Sequence, residues 1–450
     1  MEIDRQTLER LAGYPFLVVT WVDDTGYPLS VATTFSLDWT DGAETAIRLA
    51  QPSPAVPADR EISVVGSHIR PQPGIGYDER RYLCVWGRAT RAGDGTVTLH
   101  AEHAWGWDEA LMPFFEYSER SVPQSRRYLE QLSREQGREV KPRLALPWLI
   151  LRTTRLPFLT ATLVPVFLGL AIAARHGPFD WLAAILVIIG GSFAHLAVNV
   201  TNDIFDTLSG ADAANVNPTQ FSGGSRVLHY GLLSLRELST WAALLYAGAI
   251  AIGLALLAIR PSWELLAIGV AGVLIGLAYT APPLKLVYRG LGEIAVAAGF
   301  GPIMLVGAYV AETGRLAWEP LVASLPVAIL IALILYVNEI PDRRGDAAAG
   351  KRTLVVRLSP VAVERLYLGA ALLAFALVVV GVVAGIMPWP TLVALLALPL
   401  VFQVYRGIEQ HYDSPYTLMA YMGTNVKLHL YTGLLLFGGY LAALALSLIH

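Results

Sequence analysis

Two short stretches of the sequence carry the same pattern of amide and carboxylate side chains. Asn202 and Asp206 frame the sequence NDIFD, and Asn338 and Asp342 frame the sequence NEIPD. Residues four apart lie on one face of an α-helix, so each stretch predicts a row of oxygen ligands along a helix. Hard oxygen ligands without histidine or cysteine suit Mg²⁺, which commonly binds one or two carboxylates together with the phosphate oxygens of a substrate.

Each row extends beyond its first pair. Asn199 precedes the first pair by about one turn, and Asp346 continues the second row. Gly210 is expected to end the first helix, so that Asp212 reaches the site from a loop. Two facing acidic rows repel each other unless cations lie between them, so the sequence predicts a diphosphate bridged by two or more Mg²⁺ ions. The predicted metal ligands are Asn202, Asp206, Asp212, Asn338, Asp342 and Asp346.

Basic residues follow both motifs. The stretch FSGGSRV after the first motif contains a Gly-rich turn, which can present backbone amides to phosphate, and Arg226. The stretch GKRT after the second motif supplies Lys351 and Arg352. The alternative is that the acidic residues only solvate the ends of loops, which is less favoured because the two motifs match.

A third stretch, YTAPPLKLVYRGLGE, contains Tyr279, Lys285, Arg289 and Glu293. The two basic residues could bind the same phosphate or extend to lipid headgroups, and both interpretations stay open. The tyrosine and the glutamate are expected to have partners inside the protein, because polar groups near a membrane boundary usually do. Arg155, in TTRLPFLTATLVP, could bind an acidic group of a substrate or mark the membrane interface.

Long apolar runs position these motifs. The chain has 450 residues, of which 54% are hydrophobic and 15% charged, a composition typical of a membrane protein. After Pro147 the apolar runs become about 17 to 25 residues long, enough to cross a bilayer. Backbone amides in lipid must pair within their own segment, so helices are predicted. The nine predicted spans are about 153–174, 180–201, 237–259, 263–281, 291–311, 318–338, 361–386, 389–405 and 427–449.

The loops between these spans predict an orientation. An even number of crossings separates the second and sixth spans, so both acidic motifs are expected on one side. That side receives sixteen basic residues and the other side receives three. Because basic residues concentrate in cytoplasmic loops, the motifs are predicted to face the cytoplasm, with the C-terminus on the other side of the cell (inner) membrane.

The N-terminal region has a different character. Residues 1–140 carry 14 basic and 21 acidic residues, whereas the remainder carries 19 and 15. Short β-branched and aromatic runs separated by turns such as DDTG and RAGDG predict an antiparallel sheet or small barrel. The single cysteine, Cys84, excludes an internal disulfide framework. The first twenty residues carry charges before any apolar run, so a signal peptide is not expected.

The predicted organisation therefore has three parts. They are a cytoplasmic β-rich domain at 1–135, a connector at 136–150, and a transmembrane domain at 151–450.

From about residue 145 onward the sequence resembles the UbiA superfamily of intramembrane prenyltransferases. The resemblance rests on NDxxD followed by an aspartate beyond a glycine, on YTxPP with a following GE, and on NxxxDxxxDxxxGKRT. The stretches NDIFDTLSGAD, NPTQFSGGSR and GKRTLVVRL are most similar to the branch that prenylates 1,4-dihydroxy-2-naphthoate in menaquinone synthesis. Two departures concern the spacing between Asp206 and Asp212, which is wider than in many members, and Glu339, which replaces an expected asparagine.

The resemblance implies an all-α bundle around a cavity that opens toward lipid, with both motifs binding Mg²⁺ and an isoprenoid diphosphate. It implies that Lys351, Arg226 and Lys285 hold the diphosphate and that Tyr279 faces the reacting carbon. The residues expected to act in catalysis are Tyr279, Asp206 and Asp342. The residues expected to bind substrate are Arg155, Asn199, Arg226, Lys285, Arg289, Glu293, Lys351 and Arg352.

The strand pattern of the first 135 residues resembles split-barrel flavin-binding proteins of the pyridoxamine-phosphate-oxidase type. The sequence offers no strong phosphate-binding motif there, so a regulatory or substrate-delivering module is favoured over a flavin enzyme.

The predicted reaction transfers a polyprenyl group from its diphosphate to a small aromatic acceptor. The expected partners are these two substrates and the lipid bilayer, and no nucleic acid. Prenylation of a non-aromatic acceptor such as a phosphorylated glycerol remains an alternative. A secondary transporter is a further alternative, but it would place its charged groups near the middle of the spans instead of at one end.

Overall fold

The computed structural model describes residues 5–38, 46–50, 56–57, 60–71, 77–92, 95–112, 114–140, 145–215, 218–219 and 221–449. The chain divides into two compact units, Met1–Ser118 and Glu119–His450. Within the predicted connector, Lys141 and Arg143 lie outside the described residues. Asn217 and Gln220, in the predicted NPTQ stretch, also lie outside them.

The first unit contains a seven-stranded antiparallel sheet. Its strands are β1 (Leu17–Val22), β2 (Pro28–Thr33), β3 (Phe35–Asp38), β4 (Ala46–Leu49), β5 (Glu61–Pro71), β6 (Tyr77–Arg91) and β7 (Val97–Asp108). The strand order is β2-β1-β5-β6-β7-β4-β3. This sheet fits the predicted split-barrel-like domain.

The DDTG turn between β1 and β2 forms as its residues require. The Asp23 side chain accepts hydrogen bonds from the amides of Thr25 and Tyr27 at 2.8 and 2.9 Å. Gly26 has φ +86°, a conformation that side chains disfavour. Along β1, Leu17, Val19 and Trp21 alternate into the core, as expected for a strand with one buried face.

The polar segment after the sheet forms a helix, Phe114–Gln136, as its composition indicates. This helix contains the predicted domain boundary near residue 135, and that boundary stays a prediction.

The second unit is a bundle of apolar helices, and the protein is an integral membrane protein. In the described part of the chain, eight helices are long and apolar enough to cross a membrane, and a ninth apolar helix has 17 residues. In chain order the nine spans are Thr160–His176, Trp181–Leu208, Leu235–Ile259, Trp263–Thr280, Gly292–Thr313, Trp318–Ala348, Pro360–Val383, Trp389–His411 and Pro415–Ile449.

The first span starts later than predicted. A separate helix, Leu146–Thr154, precedes it, and Arg155, the residue after this helix, has φ 51° and ψ 43°. A short 3-10 turn, Leu156–Leu159, follows before the span begins. The left-handed residue ends the helical hydrogen-bond pattern, and Pro157 has no amide proton to continue it. The prediction of a continuous helix from 153 was therefore wrong.

The second and sixth spans extend past their predicted ends, so both acidic motifs lie on helices. Gly210 has φ +81° and separates the second span from the short helix Ala211–Ala214, which carries Asp212. The prediction that the helix ends before Asp212 is confirmed, but the expectation that Asp212 lies on a loop was wrong, because it lies on this short helix. The fifth span contains a wide π-helical turn, Gly299–Ile303, in which Pro302 lies.

Candidate active site

The second and sixth spans meet around one cavity of about 240 Å³, at the ends that were predicted to face the cytoplasm. Apolar side chains also line it, among them Phe158, Phe300 and Met304. Ten of the fifteen predicted site residues line this cavity: Arg155, Asn199, Asn202, Asp206, Asp212, Tyr279, Asn338, Asp342, Asp346 and Lys351. The sequence-based expectation that both rows face one space agrees with this placement.

Lys351 connects the two motifs. Its Nζ lies 3.4 Å from Asp206 Oδ2 of the first motif and 3.6 Å from Asp346 Oδ1 of the second. The three side chains are 7 to 11% exposed. Burial alone would lower the pKa of the Lys351 ammonium, but these carboxylates overcome that effect and hold the pKa above its ordinary value. Lys351 is therefore a buried cation between the acidic rows.

Asp206 has two further partners. Asn202 Nδ2 donates to its Oδ2 at 2.9 Å, one turn earlier on the same helix face. Tyr288 donates its hydroxyl to Asp206 Oδ1 at 3.0 Å. The ring of this tyrosine also lies beneath the Lys351 ammonium, 5.7 Å from its centroid. Tyr288 belongs to the stretch YTAPPLKLVYRGLGE, but its sequence position alone gave no reason to select it over neighbouring residues.

Asp342 is held by the segment that follows the first motif. Asn215 Nδ2 donates to its Oδ1 at 2.6 Å, and the Gly223 amide donates to its Oδ2 at 2.9 Å. Gly345, one turn later, makes this approach possible, because an added Cβ there would lie 2.9 Å from the Cα of Asn215. The two motifs are thus joined by hydrogen bonds as well as by Lys351.

Asp212 closes the cavity from its short helix. Thr207 donates its hydroxyl to Asp212 Oδ2 at 2.8 Å. Burial, followed by the nearby carboxylates of Asp206 and Asp203, raises the pKa of Asp212 to about 7. This carboxyl therefore titrates near neutral pH when no cation is bound.

Asn199 donates from Nδ2 to the carbonyl oxygen of Thr154 at 3.1 Å. This bond fixes the second span against the break before the first span, where Arg155 lies. Tyr279 reaches the cavity from the end of the fourth span.

Five predicted substrate-binding residues do not line the cavity, namely Arg226, Lys285, Arg289, Glu293 and Arg352. Arg226 is buried and donates from Nη1 to the carbonyl oxygen of Asn215 at 3.1 Å. Lys285 lies over the Tyr288 ring, 5.2 Å from its centroid. The structure therefore does not place these five residues in the cavity wall, and their contact with substrate stays a prediction.

Arg289 and Arg352 are exposed. Arg289 donates from Nη2 to the carbonyl oxygen of Pro283 at 3.0 Å. Glu293 is buried, and its carboxyl lies within hydrogen-bonding reach of the carboxyl of Glu339. Glu339 is also buried and lines the cavity. The expectation of an interior partner for Glu293 is therefore met by Glu339.

The oxygen-rich wall fits Mg²⁺ by its chemistry. No three His, Cys, Asp or Glu side chains within the described ranges are grouped closely enough to hold a metal ion by themselves. The carboxylates instead bind Lys351, Tyr288, Asn215 and a backbone amide. Aspartate and asparagine oxygens around a cavity nevertheless match the ligands of Mg²⁺, which keeps several waters and takes its remaining ligands from substrate phosphate. A substrate anion would supply what the protein side chains lack.

A second cavity, of about 490 Å³, adjoins the first among the second to fifth spans. The two cavities share the wall residues Ala194, Val198, Gly272, Ile303 and Met304. The second cavity is almost entirely apolar, and Gly253 and Gly269 lie in its wall. An added Cβ at either glycine would meet nothing within 4 Å, so their missing side chains leave open space.

Comparisons with known proteins agree with this arrangement. The model of the UbiA prenyltransferase family matches residues 162–425. A 2-carboxy-1,4-naphthoquinone phytyltransferase of Synechocystis is 28% identical over 296 residues, which are 63% of this chain and 90% of that protein. A 1,4-dihydroxy-2-naphthoate octaprenyltransferase of Bacillus subtilis is 26% identical over 314 residues, which are 70% of this chain and 98% of that protein.

A solved structure of a UbiA homolog from Archaeoglobus fulgidus, bound to DMAPP and Mg²⁺, is 16% identical. It covers 64% of this chain and 99% of that chain with a TM-score of 0.47, a likeness too weak to carry an argument.

Proposed function

The chain belongs to the UbiA prenyltransferase family, and from this premise we propose that it transfers a polyprenyl group from an isoprenyl diphosphate to an aromatic acceptor resembling dihydroxynaphthoate, in membrane quinone synthesis. The observation that carries the proposal is the meeting of both acidic motifs at Lys351, in a cavity that shares wall residues with an apolar one. A cavity lined by charged groups beside an apolar cavity matches a molecule with a diphosphate head and a hydrocarbon tail.

In this proposal, Mg²⁺ is held by Asn202, Asp206 and Asp212 from the first motif and by Asn338, Asp342 and Asp346 from the second. When bound, it neutralises the charge of the donor diphosphate. Each carboxylate that now binds an internal donor must exchange that bond for a cation. The Lys351 ammonium, already held between Asp206 and Asp346, contributes a fixed positive charge where the diphosphate would lie.

The residues of this chain favour breakage of the bond between the allylic carbon and the diphosphate oxygen. Lys351 stabilises the negative charge that develops on the leaving oxygen. The apolar wall formed by residues such as Phe158, Phe300 and Met304 keeps water from the allylic cation. An electron-rich carbon of the acceptor then forms the new bond. The acceptor then loses a ring proton to an oxygen of the released diphosphate, or it loses carbon dioxide if the attacked carbon carries a carboxylate. Tyr279 lies in the cavity wall, where the acceptor is proposed to bind.

The acceptor class follows from the relatives, whose names specify naphthoquinone and naphthoate substrates. Glu339, which lines the cavity, departs from the asparagine expected in that branch, so a phosphorylated glycerol is the acceptor to test against the aromatic one. A transporter is disfavoured because the charged residues cluster at one end of the bundle instead of near its middle.

The direct test is prenyl transfer by the purified protein in detergent. The protein is incubated with labelled prenyl diphosphate, Mg²⁺ and one acceptor at a time: 1,4-dihydroxy-2-naphthoate, 4-hydroxybenzoate or glycerol 1-phosphate. We expect a prenylated product from 1,4-dihydroxy-2-naphthoate, with one diphosphate released for each molecule of product. Product with glycerol phosphate alone would reassign the acceptor. Neither product nor diphosphate release with any acceptor would refute the proposed function.

For the N-terminal unit, we propose a regulatory or substrate-delivering role on the cytoplasmic side, with a boundary near residue 135. The matched family region begins at residue 162, after this unit. A flavin absorbance band in the purified protein would contradict this role. Proteolysis of inside-out membrane vesicles, in which the cytoplasmic face is exposed, should release the unit, whereas right-side-out vesicles should protect it.

A further inference from the structure

Asp203 lies in the middle of the first acidic motif but does not face the cavity. Asn202 and Asp206 line the cavity, whereas Asp203 does not. Successive residues on an α-helix point about 100° apart, so the residue after Asn202 turns toward another part of the protein. Asp203 is 2% exposed, and a buried carboxylate requires partners there.

The partners of Asp203 are an arginine and a backbone amide. Arg155 donates from Nη2 to Asp203 Oδ1 at 3.0 Å. The amide of Ser225 lies 3.1 and 3.3 Å from Oδ1 and Oδ2. Both carboxyl oxygens of Asp203 therefore already accept hydrogen bonds from donors of the protein.

Arg155 is held in an unusual place. It has φ 51° at the break before the first span, a left-handed conformation that non-glycine residues disfavour. It lines the cavity, and its Nε is buried with no hydrogen-bond partner among the described residues. The ion pair with Asp203 thus fixes one end of the guanidinium, while the Nε–H has no acceptor in the part of the chain that the structure describes.

The Gly-rich turn closes over this ion pair. Gly224 has φ +74°, and an added Cβ would lie 3.1 Å from Asp203 Oδ1 and 3.2 Å from Arg155 Nη2. Asp212 Oδ1 would be equally near, at 3.0 Å. The turn, the arginine and Asp203 form one packed unit beside the cavity.

We propose that Asp203 is a positioning residue and not a metal ligand. It orients the guanidinium of Arg155 so that this cation binds an anionic oxygen group of a substrate. The group is either the carboxylate of the acceptor or the diphosphate of the donor, since both offer oxygens that suit a guanidinium. The proposal rests on the proposed function, because it assumes that substrates of this class enter the cavity.

The test compares Asp203→Asn, Arg155→Met and the double variant with wild type. Two probes bind without turnover: 1-hydroxy-2-naphthoate, a fluorescent carboxylate, and geranyl thiodiphosphate with Mg²⁺. The midpoint of the Mg²⁺ dependence is measured from binding of the second probe. Asp206→Asn serves as the comparison for loss of a metal ligand, and Asp180→Asn, at the other end of the second span, serves as the control substitution.

We expect Asp203→Asn to lower the affinity for one of the two probes by about tenfold. The Mg²⁺ concentration at the midpoint of the dependence should stay within about twofold of the wild-type value. Arg155→Met should weaken the same probe, and the double variant should be no weaker than Arg155→Met, because the two residues act as a unit. The affected probe identifies the anionic group. Unfolded Asp203→Asn would be replaced by Asp203→Glu, which keeps the charge and should retain the Mg²⁺ midpoint.

A raised Mg²⁺ midpoint for the Asp203 variant, as for Asp206→Asn, would overturn the proposal and make Asp203 a metal ligand. The proposal would also be overturned if the losses of affinity in the two single variants added up in the double variant, or if binding of neither probe changed. A wild-type protein that binds neither probe would instead refute the proposed function on which the inference rests.

Discussion

Replacing Lys351 with methionine removes the positive charge that joins the two acidic motifs. The Nζ lies 3.4 and 3.6 Å from two carboxylate oxygens. At an effective dielectric constant of about 20, each pair attracts by roughly 5 kcal/mol before desolvation is subtracted. Removing one member of a buried charge pair typically costs about 3 to 5 kcal/mol. We therefore expect Lys351→Met to destabilise the helical unit by about that amount in EDTA.

Mg²⁺ should then stabilise the variant more than the wild type, because the cation replaces the missing charge between Asp206 and Asp346. At a concentration one hundred times its dissociation constant, a ligand adds about 2.7 kcal/mol of stability. Activity should still fall by about 10² to 10³, because the fixed positive charge near the leaving oxygen is lost.

Thermal unfolding followed by far-ultraviolet circular dichroism, with EDTA and with Mg²⁺, measures both effects in detergent. Lys427→Met is the matched control, since Lys427 is an exposed lysine on the ninth span and should change stability by less than about 0.5 kcal/mol. Equal stability of Lys351→Met and wild type in EDTA would refute the reasoning. If Mg²⁺ stabilised both proteins equally, the idea that the cation replaces the charge of Lys351 would be refuted.

Gly253→Leu adds a side chain at the wall of the apolar cavity, so it should reduce kcat/KM at least tenfold more for long prenyl donors than for geranyl diphosphate. Gly438→Leu, at an equally open position outside that cavity, is the control and should reduce kcat/KM equally for both donors. Asp342→Asn should abolish product formation while the protein elutes normally on gel filtration, and normal turnover would remove Asp342 from the site. Because the pKa of Asp212 is about 7 and bound Mg²⁺ requires the deprotonated carboxylate, the Mg²⁺ midpoint should rise about tenfold from pH 8 to pH 6, and Asp212→Asn should flatten this dependence. Burial raises the pKa of Cys84 to about 11, so its alkylation at pH 8 should be about two orders of magnitude slower than that of an exposed thiol; rapid labelling of the folded protein would contradict the burial.

Hydropathy and motif spacing were sufficient to predict the general architecture. The even number of crossings between the second and sixth spans predicts that both motifs lie at one end of the bundle. The spacing of Asn202 and Asp206 by four predicts that both face one space, and both line the cavity. These features depend on the helical period and on bilayer thickness, which a single sequence records.

Features that depend on tertiary contacts were not predictable in this way. Hydropathy does not register the left-handed residue at Arg155, so the first span was predicted to start too early. Arg226 lies near the site in sequence, but its guanidinium binds the Asn215 carbonyl instead of reaching the cavity. The roles of Tyr288 and Asp203 required knowledge of which loop packs against the second span.

We propose that carboxylates from both motifs act on one Mg²⁺-bound diphosphate. The most direct measurement is the equilibrium binding of geranyl thiodiphosphate to wild type, Asp206→Asn and Asp342→Asn, each with Mg²⁺ and with EDTA. We expect the wild type to bind the probe only with Mg²⁺, and we expect each variant to bind it with an affinity at least tenfold lower. Binding that is equally tight in EDTA, or that survives unchanged in either variant, would contradict this proposal.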